Sequence, residues 1–103
     1  MILSDLEKEF LPVGLIRGSV FLLPPTEALR FVEECKGRGV LILGVEGFKV
    51  FGEKIQPLQE HSFDLYGQDD NSHCIATEFI SKRLGYDIWF EVGTEGIKGT
   101  GPY

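Results

Sequence analysis

Pro24-Pro25-Thr26-Glu27-Ala28-Leu29-Arg30-Phe31-Val32-Glu33-Glu34-Cys35-Lys36-Gly37-Arg38-Gly39-Val40-Leu41-Ile42-Leu43 decides the fold, because its hydrophobic period changes once and sharply. Ala28, Leu29, Val32 and Cys35 recur at helical spacing with Phe31 flanking them, while Glu27, Arg30, Glu33, Glu34 and Lys36 fill the other faces. Two prolines are tolerated at the start, where a first-turn N–H has no helical partner anyway. Gly37 and Gly39 stop the helix. Val40 to Leu43 is then wholly apolar and short, which reads as a buried strand.

Upstream, Gly18 to Leu23 is rich in strand formers, and its apolar residues run on without alternating. That pattern predicts one strand in a central position. Before it, Ser4 with Glu7 three residues later has the capping-box spacing, and predicts a short helix ended by Pro12 and Gly14.

Downstream, Gly44 and Gly47 mark a bulge or a turn, and Phe48 to Phe51 resumes the strand. Gly52-Glu53 reads as a tight hairpin turn with glycine first. Pro57 confines the next short strand to an edge. Leu58 to Asn71 has no clear period and reads as the longest loop, although Ser62 to Tyr66 alternates. Asn71 or Ser72 caps a second helix with Ile75, Ala76, Phe79, Ile80 and Leu84 as its apolar stripe, ended by Gly85. Asp87 to Val92 is the last strand.

The expected fold is therefore α+β: a short N-terminal helix, then β-α-β-β-α-β. Two helices cover one face of a mainly antiparallel sheet, as a two-layer sandwich. Residues 1–92 form the single domain, and the glycine-rich stretch 93–103 reads as a C-terminal tail.

A chain of 103 residues fits one domain, and 43% apolar with 25% charged residues is the globular range. Its net charge of −6 opposes binding to nucleic acid or to an anionic membrane surface, and favours encounter with a basic protein. Cys35 and Cys74 form no CxxC pair; both fall in expected helices, where a thiol serves as a small core residue. Met1 to Phe10 has neither the basic nor the apolar region of a secretion signal, and no run reaches the length of a membrane span. A reducing, cytoplasmic location is expected.

His61, His73 and Cys74, with Asp64, give a region dense in possible ligands. It has no zinc spacing, and no metal or other cofactor is expected. Cys74 beside His61 or His73 would be a candidate nucleophile near a helix start, which Asp69 and Asp70 would oppose. The glycines of the tail lack the Gly-Lys-Ser/Thr ending of a phosphate loop. Charge placement is more informative. Between Lys54 and Lys82 there is no Lys or Arg, while Glu60, Asp64, Asp69, Asp70 and Glu78 all fall there. With Tyr66 among them, Glu60, Asp64, Asp69 and Asp70 form the candidate partner-binding surface.

The run Ala28 to Gly44, followed by Val45-Glu46-Gly47-Phe48, resembles a helix–strand unit of small bacterial immunity-type proteins. It covers about a fifth of the chain. The resemblance implies a protein that binds and neutralises a partner toxin, with no chemistry of its own. Two other readings stand beside it. One is a small enzyme or ligand-binding domain using His61, Asp64 and His73. The other is a homo-oligomer whose interface draws on the apolar strands and the phenylalanines.

Overall fold

A computed structural model describes residues 3–65 and 71–95. The elements are α1 (Asp5–Glu9), a 3-10 turn (Leu11–Val13), β1 (Leu15–Arg17), β2 (Val20–Leu22), α2 (Pro25–Gly37), β3 (Ile42–Phe51), β4 (Lys54–Asp64), α3 (Ser72–Ser81) and β5 (Trp89–Thr94). The fold is α+β, with every strand pairing antiparallel.

The helix ends follow local chemistry. Ser4 Oγ accepts from the Glu7 amide at 3.0 Å, and the Glu7 carboxylate accepts from the Ser4 amide at 2.9 Å, completing the capping box of α1. At the end of α2 the Val40 amide donates to Cys35 O and the Gly39 amide to Lys36 O, which is the Schellman pattern.

The main sheet runs β4-β3-β5. The expected first strand, Gly18–Leu23, is instead the second half of a hairpin. Leu15–Arg17 pairs with Val20–Leu22 around the two-residue turn Gly18-Ser19. Gly18 (φ 63°) and Gly52 (φ 61°) each take the first turn position, where positive φ suits glycine and matches the strand twist. One residue past β2, Leu23 exchanges both backbone hydrogen bonds with Phe90, at 2.8 and 2.7 Å, so the hairpin adjoins β5. Arg17 Nε also donates to Gly52 O at 2.7 Å, tying the first hairpin to the tip of the second.

Three further boundaries differ from expectation. β3 is one strand through Gly44 and Gly47, which sit at register shifts, so of the bulge and the turn expected there it is the bulge that forms. β4 continues through Pro57 to Asp64, taking up much of the expected loop. Pro57 is tolerated because β4 is the edge and Phe48, its partner, directs its own backbone groups to β5. β5 reaches Thr94, two residues into the expected tail, and residues 96–103 lie outside the described region.

The core lies between helices and sheet. Ala28, Phe31, Val32 and Cys35 of α2 and Ala76 and Ile80 of α3 meet Ile42, Val45, Phe90 and Val92, with Leu6 and Phe10 closing one end. Phe10 and Phe31 pack edge to face at 5.3 Å. Both helices therefore cover one face, as expected. Two side chains depart from their expected roles. α3 ends at Ser81, leaving Leu84 47% exposed, and Cys74 faces solvent while Cys35 is buried.

Candidate functional site

The most irregular part of the sheet lies where β3 meets β4. Val45 pairs with Phe63 and Gly47 with Leu58, so Gln59, Glu60, His61 and Ser62 all stand opposite Glu46 alone. This wide bulge is held at three points. Ser62 Oγ accepts from the Gly47 amide at 3.0 Å and donates to Leu58 O at 2.7 Å, replacing the missing ladder bonds. The bulge backbone also closes over Gly47. A Cβ there would lie 2.7 Å from His61 O and 2.9 Å from His61 Cβ.

Arg83, just beyond α3, supplies the third point. Its Nε donates to His61 Nδ1 at 2.9 Å, one Nη to Phe79 O at 2.9 Å and the other to Glu60 O at 3.3 Å. The guanidinium lies over the Phe79 ring, 3.7 Å from its centre. Phe79 packs on Phe63 at 4.7 Å, and Tyr86 meets the His61 ring edge-on at 5.2 Å.

Beside the bulge lies an open cleft of about 510 Å³, lined by Glu46, Pro57, Gln59, Ser62, Phe63 and Asp64. A smaller hollow of about 140 Å³ continues from it, sharing Glu46 and Asp64 and adding Gly44, Glu91 and Gly93. Register puts Glu46 directly opposite Glu91, and Gly44 opposite Gly93. Directly opposed side chains share a face with Cβ atoms about 4.5–5.5 Å apart, and like charges there are unfavourable. Among the described residues, neither Glu46, Asp64 nor Glu91 is in an ion pair, whereas Glu9, Glu27, Glu34, Glu78 and Asp87 are. The Glu91 carboxyl is raised above its ordinary pKa, first by burial, then by the charges of Glu46 and Glu7.

The expected site residues are divided among several places. Glu60 and Asp64 lie exposed on β4, Asp64 at the cleft. Tyr66, Asp69 and Asp70 lie outside the described residues. His61 belongs to the Arg83 clamp. His73 is on α3, its Nε2 2.7 Å from Val40 O. It shares a groove of about 390 Å³ between α2 and α3 with Cys74, Val32, Lys36 and Thr77. The cleft at Asp64 is lined by neither histidine, so His61, Asp64 and His73 are not gathered into one pocket. Among the described residues no group of three or more His, Cys, Asp or Glu is placed to hold a metal ion, and no helix is long and apolar enough to cross a membrane.

Glu46, Glu91, Ser62 and Arg83 were not singled out from the sequence. Only Arg83 left a trace there, at the i,i+4 spacing from Phe79 that suits stacking. Chemically, the cleft offers carboxylates that are in no ion pair among the described residues, and a Ser62 hydroxyl engaged both as donor and as acceptor. Comparison with known protein families gives no match, and comparison with curated proteins gives none either.

Proposed function

We propose that this chain is a small protein-binding domain that meets a basic partner through the acidic face at Glu46, Asp64 and Glu91. Neutralising a partner toxin inside the cytoplasm is the activity implied by the resemblance to immunity-type proteins. The carrying observation is the Glu46–Glu91 pair, like charges set opposite each other on an open cleft and, among the described residues, in no ion pair. A guanidinium or ammonium entering there relieves a repulsion that the free protein bears. The net charge of −6 adds long-range attraction for such a partner.

An arginine-rich peptide is a direct probe. Amide shifts in an NMR titration should concentrate at Gly44, Glu46, Asp64 and Gly93, and Glu46→Lys with Asp64→Lys should remove them. Shifts spread over all exposed acids, Glu33 and Glu53 included, would reject this face. The neutralising activity is tested by whether co-expression restores growth to cells producing a basic toxin encoded beside the chain, and whether the double reversal loses that protection.

A further inference from the structure

His61 sits inside the bulge, and its Nδ1 accepts from Arg83 Nε at 2.9 Å. Arginine has donors only, so the bond requires a lone pair on Nδ1 and leaves the imidazole proton on Nε2. A second proton on the ring would have to occupy Nδ1. The bond would then become an N–H facing an N–H, and an imidazolium facing a guanidinium. Histidine is the side chain that ordinarily changes charge between pH 5 and 8.

Among the described residues, the surroundings supply little to offset that conflict. From α3 and the segment after it, the facing groups are the Arg83 cation and the Tyr86 ring, edge-on at 5.2 Å. Asp87, next to Tyr86, is drawn towards Lys49 at 3.9 Å. From β3 the neighbours are Gly47, which brings no charge, and Glu46, which stands opposite the bulge and lines the cleft with Gln59 and Ser62. Within β4, Glu60 gives Arg83 its carbonyl, and among the described residues its carboxylate is in no ion pair with the ring.

We propose that His61 and Arg83 form a proton-sensitive latch on the Gln59–Ser62 bulge, closed while the imidazole is neutral and released when Nδ1 takes a proton. The proton comes from solvent, and no covalent bond changes. Arg83 keeps its bond to Phe79 O and its place over the Phe79 ring, and Ser62 keeps its bonds to Gly47 and Leu58, so release loosens the His61 side of the bulge rather than α3. Gln59 and Ser62 line the acidic cleft, so release also reshapes that cleft. This last consequence rests on the binding function proposed above; the latch itself is a property of the free chain.

The test uses the free full chain. Nitrogen NMR of the His61 ring should find the Nε2–H form above neutral pH. Hydrogen-exchange protection factors at residues 59–63 should fall on acidification from pH 8 to 5, while those of α2 hold. His61→Gln keeps an acceptor and cannot gain the charge, so its bulge should stay protected throughout. The proposal is overturned if protection of the wild-type bulge does not change with pH, or if His61→Gln loses it as the wild type does. Titration with the arginine-rich peptide then separates the two ideas. A working latch without peptide binding sinks the binding function alone, and peptide binding with a pH-insensitive bulge sinks the latch alone.

Discussion

Replacing Gly47 with alanine should destabilise the protein, although alanine ordinarily improves a glycine position. Gly47 does not need positive φ, so the argument is steric alone. The added Cβ would meet His61 O at 2.7 Å and His61 Cβ at 2.9 Å, several tenths of an ångström inside normal contact. Both atoms are backbone or fixed to it, so no rotamer change relieves the clash. The bulge must move as a unit, against the Ser62–Gly47 bond of 3.0 Å and the Arg83–His61 bond of 2.9 Å. Overpacking of this kind costs about 1–3 kcal/mol, and each weakened hydrogen bond adds roughly 0.5–1.5 kcal/mol. The loss of freedom in the unfolded chain gives back only about 0.4–1 kcal/mol. The net expectation is a loss of about 1–5 kcal/mol, read as a lower urea midpoint at unchanged slope. Each kcal/mol should lower the melting temperature by roughly 4–8 °C for a domain near this size. Gly37 is the control: nothing lies within 4 Å of its added Cβ, and it closes α2. Gly37→Ala should stabilise by about 0.5–1 kcal/mol. A Gly47→Ala protein that unfolds at or above the wild-type midpoint would refute the closed bulge.

Glu91 gives a pH dependence whose sign is fixed. Its carboxyl is raised in the folded state, by burial and then by Glu46 and Glu7, so the fold holds its proton more tightly than the unfolded chain does. The associated stability is full below the ordinary glutamate range and is lost as pH rises through the raised value. Glu91→Gln should remove that slope and be the more stable protein at neutral pH, as urea midpoints from pH 4 to 8 would reveal; a wild type whose stability does not fall on that limb contradicts it. The two thiols should behave oppositely. Iodoacetamide should label Cys74 in the native protein and Cys35 only after unfolding, because burial pushes the Cys35 thiol up to about 12. Stability linked to Cys35 should therefore decline from the ordinary thiol range towards pH 12, and Cys35→Ala should lack that decline. Rapid native labelling of Cys35 would show that α2 does not seal it.

Much of the fold could be read residue by residue, and the failures share a cause. The Ser4–Glu7 box, the α2 stripe with its Gly39 stop, and the Gly52-Glu53 turn depend on neighbours in sequence, so the chain declares them locally. β4 does not. Its outer edge is open, and four bulged residues break its alternation midway, so periodicity fails between Leu58 and Asp64. The β1–β2 hairpin was hidden for a related reason. With strands of only three residues, Gly18 reads as a boundary rather than a turn. The opposition of Glu46 and Glu91 depends on which strand β3 joins and in what register. Neither is visible until β5 is docked. Acidity was legible as a stretch along the chain, whereas the carboxylates at the cleft come from three separate strands.

The sheet edges bear on how a partner would be met. An open edge strand offers its amides and carbonyls to any passing strand. On β4 this offer is interrupted midway. The Gly47 amide turns towards β4, where Ser62 takes it, so the next residue, Phe48, turns its own groups towards β5. Pro57, paired with Phe48, therefore faces its nitrogen outward, and that nitrogen has no hydrogen to give. Two residues later the bulge leaves the ladder altogether. β1, at the other edge, is short and partly blocked. In a two-residue hairpin the residues flanking the turn bond each other, so the Ile16 carbonyl turns to the open side, where an Arg17 Nη donates to it at 2.9 Å. With strand addition hindered at both edges, a partner of the kind proposed would have to insert side chains into the sheet's outer face. There the carboxylates of Glu46 and Glu91 stand beside Gly93, which is exposed, while Gly44 opposite it is buried under Phe63 and Asp64 of β4.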